Sequence, residues 1–196
     1  GTRLQRDPLA ESAKIKSVRL ARVSIPLTMV HAGSMYVIQK TERTVIELAL
    51  ESGATGLGET WGTPEAYALT AKFARDWIGR DALDRFALRD ATLGRSGYDS
   101  RHGRNGHAAF AGLDLAAWDA AARSLKLSLA ELIGGRTRES MDVVCTLPAA
   151  IFPRAVSRAE LTAHHDELAN TRKVVDFSLE QARKFGFRNF KLKSAA

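Results

Sequence analysis

The chain has 196 residues, 45% hydrophobic and only 7% aromatic, enough to bury a core of aliphatic side chains and alanine and too apolar for a disordered chain. Its 29 Lys and Arg against 22 Asp and Glu give a formal charge of +7, but the basic residues are scattered; this argues against a nucleic-acid tract and leaves room for an anionic small-molecule site. The lone Cys145 excludes an intrachain disulfide, and neither a long apolar span nor an N-terminal apolar h-region is present, so the expectation is a soluble, cytoplasmic protein with no membrane partner.

Residues 1–13 are polar, contain Pro8 and read as a flexible lead-in. KIKSVRLARVSIPL reads as a strand, with Val18 and Leu20 on one phase and Val23, Ile25 and Leu27 on the other, a slip that predicts a bulge or bend near Ala21. TMVHAGSM is expected to be an irregular loop. A second strand follows from about Met35 through RTVIELALE, where Ile46, Leu48 and Leu50 share a face and Glu47 looks outward. Ser52-Gly53 signals a turn, and TGLGET returns as a third strand whose Gly56 and Gly58 suit a close approach of backbones. The three make an antiparallel meander.

Helices come next. Thr63 caps a helix from Pro64 or Glu65 to about Ile78, because proline is well placed at a first helical position, and a second helix covers Asp84 to Leu93. RSGYDSRHGRNG reads as a glycine-rich loop, and its Arg101, His102 and Arg104, with His107 at its end, are either an anion cradle or solvated. HAAFAGLDLAAWDAAARSLK is the strongest helix, with Phe110, Leu113, Ala117, Ala121 and Leu125 in one stripe and enough alanine for close backbone packing. LSLAELIGG adds a short helix capped by Ser128 and ended by Gly134-Gly135.

From Met141 the pattern changes. MDVVCTL is a short apolar strand in which Cys145 reads as a core residue, 148–156 a loop, and Ser157 with Glu160 a capping box before a helical segment. The adjacent His164 and His165 would point apart on that helix and are assigned to its surface. A helix from about Thr171 to Phe185 ends at Gly186, and FRNFKLK is a second strand. Strand, helix, strand is a βαβ unit with parallel strands and a right-handed crossover.

In that last strand Lys191 and Lys193 lie about 6.6 Å apart on one face, with Phe190 and Leu192 on the other, ready to pack on a helix. At the carboxyl end of a parallel barrel strand, where ligands bind, the lysine face would be the interior. Two ammonium groups so close raise the cost of both being charged; one, held neutral, can act as a general base while the other grips a carboxylate oxygen. The same pattern also suits an exposed edge whose charges discourage pairing.

Three features together resemble the enolase superfamily, in the group of mandelate racemases, muconate cycloisomerases and acid-sugar dehydratases: GLGET at Gly56 to Thr60, DLAAWDAAARSLKLSLAELIGG at Asp114 to Gly135, and KLK at Lys191 to Lys193. The resemblance implies an α+β capping domain at 14–140, with the three-stranded meander and helices, followed at 141–196 by the first βαβ portion of an incomplete (β/α) TIM-like barrel. It further implies that Lys193 abstracts a proton α to a carboxylate, while Lys191 favours the neutral form of its neighbour and contacts the substrate carboxylate. FKLK and the long segment between the first two barrel strands look most like glucarate dehydratases, in which a Mg²⁺-stabilised enediolate forms and the β-hydroxyl leaves as water. Where that subgroup has two glycines after the second lysine, Ser194 and Ala195 stand here, so the acid sugar is not fixed.

By position, His31 and Tyr36 in the first loop, Trp61 after GLGET and Thr146 near the end of the first barrel strand are candidate substrate contacts. A solvated His31 and a core Trp61 are the alternatives. A full barrel takes about 250 residues and only about 56 follow the boundary, so the magnesium ligands are expected beyond residue 196 and the 196-residue chain alone is expected to be inactive. The full-length expectation is a hydro-lyase acting on an acid-sugar carboxylate, homo-oligomeric, with no nucleic-acid partner. A related racemase or cycloisomerase, or a non-catalytic anion- or partner-binding module, is the alternative.

Overall fold

The structure is a computed structural model that describes residues 13–33, 36–94, 103–147 and 171–192, with backbone alone at 28–33, 36, 37 and 171. It divides into two units: Gly1–Ser24 with Glu42–Arg136, and Ile25–Thr41 with Thr137–Ala196.

A three-stranded sheet in the order β1-β2-β3 is formed by β1 (Ile15–Gly33), β2 (Tyr36–Leu50) and β3 (Thr55–Trp61). β2 and β3 are antiparallel, with Ile46 opposite Gly58 and Leu48 opposite Gly56, around the turn at Ser52-Gly53 where Gly53 takes a positive φ of 86°. The ion pairs Arg19–Glu47 and Arg22–Glu42 step along β1 and β2 in opposite directions, as an antiparallel hairpin requires. Alternation holds on β2: Thr44, Ile46, Leu48 and Leu50 are fully buried, and Val45 is exposed.

The strand β1 continues through Ala21; Val18 and Leu20 pack on the core, whereas Val23 and Ile25 are exposed. One expectation for β1 needs correction. TMVHAGSM is strand as far as Gly33, not an irregular loop, because pairing with β2 supplies the order that its own sequence does not signal.

α3 (Gly103–Ser124) lies against β3, with α1 (Pro64–Trp77), α2 (Arg85–Leu93) and the short α4 (Leu129–Leu132) packed on it. The Thr63 hydroxyl accepts from the Ala66 N–H at 3.2 Å, and the Asp84 carboxylate caps α2 through the Ala87 N–H at 3.0 Å. Ser128 and Glu131 form a reciprocal capping box on α4, and hydrogen bonding of the Glu131 carboxylate to the Ser128 side chain and backbone N–H holds that carboxyl below its usual range. Thr63→Ala should cost about 1 kcal/mol, read as a fall in the urea midpoint of the full-length protein at unchanged slope.

α3 starts at Gly103, four residues before the predicted start at His107; Gly106 is buried, and tertiary packing overrides the poor helix propensity of GRNG. Its alanines face β3, and the two run antiparallel along a common seam. A Cβ built on Gly56 would stand 2.2 Å from the Ala116 carbonyl oxygen, and one on Gly58 would stand 2.1 Å from that of Gly112. Four helical residues rise about 6.0 Å and two strand residues about 6.6 Å, so every second position of β3 meets every fourth of α3. The seam continues to Thr60, whose hydroxyl donates to the Ala108 carbonyl at 2.5 Å.

Two carboxylates of the DLAAWD stretch, Asp114 and Asp119, tie α3 to its neighbours. Asp119 accepts from the Leu57 N–H of the edge strand at 2.9 Å and pairs with Arg123 at 3.0 Å. Asp114 pairs with Arg85, which also donates to the Ala82 carbonyl at 3.0 Å and lies 5.0 Å from the centre of the Trp118 ring. Burial pushes the Arg85 guanidinium down to about 10, leaving it charged at neutral pH. Trp77 and Phe110 meet edge to face at 6.0 Å in the core between α1 and α3.

In the second unit, β4 (Val144–Leu147) and β5 (Asn189–Leu192) are parallel, with α5 (Thr171–Phe185) preceding β5 and packed on β4. This is a βαβ portion of a (β/α) barrel. The helix buries Val174 beside a strand whose Leu147 is 4% exposed. Phe190 and Leu192 differ from expectation: Phe190 meets the Phe187 ring at 6.5 Å rather than a helix, and Leu192 is exposed, because α5 covers β4. The predicted loop at 148–156, the capping box Ser157/Glu160 and the His164-His165 pair lie outside the described residues.

Candidate functional site

Two places carry chemistry, one in each unit. In the βαβ portion, register sets Thr146 opposite Lys191, with Cys145 opposite Phe190 and Leu147 opposite Leu192. Paired residues of parallel strands share a face, so Thr146 and Lys191 lie together on the face opposite buried Leu147. Both are exposed, and both stand at the carboxyl end of their strands. The structure thus brings together two residues that the sequence named separately. Lys193, two positions on, lies outside the described residues.

In the first unit, the end of the β3–α3 seam opens into a cavity of about 500 Å³ lined by Arg43, Glu59, Thr60, Trp61, Arg104 and His107, with Ala108 and Ala111 as a small-residue wall. β3 places Glu59 and Trp61 on alternate positions beyond Gly58, and pairing sets Trp61 opposite Arg43. Arg43 forms an ion pair with Glu59 at 3.2 Å. The Arg104 guanidinium lies 5.3 Å from the centre of the Trp61 ring. Trp61 is half-buried and outside the core cluster, so the core-packing alternative gives way to a pocket wall.

His31 falls within β1 and Tyr36 opens β2, not in a loop, and their side chains are not described. Arg104 and His107, read as loop residues, stand on the first two turns of α3; Arg101 and His102 lie outside the described residues. Sequence reasoning passed over Arg43 and Glu59. Their cross-strand partnership becomes visible only once the turn at Gly53 sets the β2–β3 register.

Residues 15–134 match the N-terminal domain of the mandelate racemase / muconate lactonizing enzyme family. The chain belongs to that family. A chloromuconate cycloisomerase from Cupriavidus necator is 30% identical over 158 residues, which are 74% of this chain and 40% of that protein. A muconate cycloisomerase from Acinetobacter lwoffii is 29% identical over 160 residues, 76% of this chain and again 40% of the relative. The chain therefore spans about two fifths of the length of these curated relatives. Among solved structures, the muconate lactonizing enzyme from Pseudomonas fluorescens, complexed with muconolactone, shares the fold at a TM-score of 0.71, with 24% identity over 93% of this chain and 45% of that one. A magnesium-, formate- and sulfate-bound enolase from Gibberella zeae does so at 0.74, with 19% identity over 94% and 44%.

For this mandelate racemase / muconate lactonizing enzyme family chain, the matched region is the α+β capping domain, and the βαβ portion that follows is the opening of a barrel. Among the described residues no three His, Cys, Asp or Glu come together to hold a metal ion, so these residues do not fit a magnesium site. No helix among them is long and apolar enough to cross a membrane.

Proposed function

We propose that this chain is part of a longer enzyme that abstracts a proton α to a carboxylate, with residues 14–140 as its capping domain and 141–196 as the start of its barrel. The observation that carries the reading is the pairing of Lys191 with Thr146 at the carboxyl end of the parallel strands, in a chain whose capping domain belongs to the mandelate racemase / muconate lactonizing enzyme family. Lys193 takes the α proton on its Nζ, and the electron pair moves into the carboxylate to give an enediolate. Lys191 offsets the growing negative charge on the carboxylate oxygens, and Thr146 donates to the substrate beside it. His31, Tyr36 and Trp61 complete the substrate contacts.

The first reading is dehydration of an acid sugar, in which the enediolate expels its β-hydroxyl as water; FKLK supports it. The second is cycloisomerisation, favoured by the 30% identity to a chloromuconate cycloisomerase. Both move a proton at the carbon next to a carboxylate. The full-length protein, supplied with magnesium in deuterated water, should therefore incorporate solvent deuterium: at the β carbon of a dehydration product, whose α carbon has become a carbonyl, and at the α carbon of a lactone formed from muconate. A screen of acid sugars giving keto-deoxy acids would establish dehydration, and a lactone from muconate would establish cycloisomerisation. Absence of solvent deuterium at either carbon with every acid sugar and muconate tested would sink the reading.

A further inference from the structure

The cavity at the end of the β3–α3 seam has an uneven balance of charge. Arg43 and Glu59 offset one another at 3.2 Å. Arg104 has no carboxylate partner among the described residues; its contact is the face of Trp61 at 5.3 Å. An indole face holds a guanidinium in place without consuming its N–H donors, so the planar fork stays available for a carboxylate, which it fits with two parallel hydrogen bonds. His107, one helical turn along α3, adds a second donor at the same wall. Ala108 and Ala111 leave the rest of that wall small and apolar. At about 500 Å³ the space is that of a small organic molecule.

We propose that this cavity binds a small organic carboxylate with an apolar body, its carboxylate held by Arg104 and its body against Ala108 and Ala111. The proposal gives Trp61 a partner, Arg104, and the cavity a chemical class of ligand, whose carboxylate is the one held by Arg104. It does not depend on the lysines or on the carboxylate beside the abstracted proton. Trp61 orients the guanidinium and Arg104 supplies the charge, so each substitution has its own signature. A wholly inorganic anion would leave the alanine wall unused, and a neutral molecule would leave the guanidinium without a charged partner.

The test uses benzoate as the probe and benzamide as its uncharged isostere, titrated calorimetrically into the full-length protein carrying Lys193→Ala, so that binding is read without turnover. Benzoate should bind at least about tenfold more tightly than benzamide, and Arg104→Gln should remove that preference. Trp61→Leu should weaken benzoate by a smaller factor while retaining the preference for charge, and Arg104→Lys should restore part of the affinity. Raising the salt concentration should weaken benzoate and leave benzamide unchanged. Equal affinity of wild type and Arg104→Gln for benzoate overturns the proposal, as does the absence of benzoate binding at millimolar concentration. Loss of benzoate binding on Arg104→Gln in a protein that shows no α-proton exchange would leave this site standing while the proton-abstraction reading fell.

Discussion

Gly58→Ala should destabilise the capping domain by more than about 3 kcal/mol, at or beyond the upper end of ordinary overpacking. The new methyl would lie 2.1 Å from the Gly112 carbonyl oxygen and 2.9 Å from the Ala116 N. Both obstacles are helix backbone, which cannot rotate aside as a side chain can. Relief would require β3 and α3 to separate, and that would break the hydrogen bonds of Thr60 to Ala108 and of Leu57 to Asp119. Gly53→Ala is the informative control. It has open space around its Cβ but a φ of 86°, so it should cost only about 1 kcal/mol from backbone strain. Urea midpoints of the two full-length variants, followed by far-ultraviolet circular dichroism, separate the effects. If the two midpoints coincide, the close approach of strand to helix is not what this glycine serves.

Lys193→Ala should lower the rate of α-hydrogen exchange with solvent by about 10²- to 10⁴-fold, the usual worth of a positioned general base. The period of a strand sets this expectation. Lys191 is paired with Thr146 on the face away from buried Leu147, and a residue two positions further along an extended chain returns to that face. Lys191→Met should behave differently. It removes a charge that holds the carboxylate rather than the acceptor of the proton, so KM should rise along with a fall in kcat. Exchange by mass spectrometry and steady-state kinetics on both variants make the distinction. Exchange in Lys193→Ala at the wild-type rate would remove this residue from the role of base.

What could be read from the sequence follows from how local each signal is. Ile46, Leu48 and Leu50 announced β2 through simple alternation, and Thr63-Pro64, Asp84 and Ser128 announced helix starts because a cap is formed within three residues. The pairing of Thr146 with Lys191 was approachable because a βαβ unit has one common handedness and a strand has one period. The strand character of TMVHAGSM was not, since it comes from pairing with β2. Nor was the start of α3 at Gly103, where glycine argues against helix until packing is known. Arg104 over Trp61 was the least legible feature. It needs the antiparallel course of β3 along α3, fixed by Gly56, Gly58 and Gly112, residues that carry no side-chain signal.

That glycine-lined seam also decides where this fold can vary. Strand and helix touch through main chain, so substitutions along Gly56, Gly58 and Gly112 meet an obstacle at once. Glu59, Trp61, Arg104 and His107 stand at or beyond its end, where side chains project into open volume. Substitutions at those rim positions can reshape the cavity while the seam holds the frame still, so the lining and the structural integrity of the unit are separable.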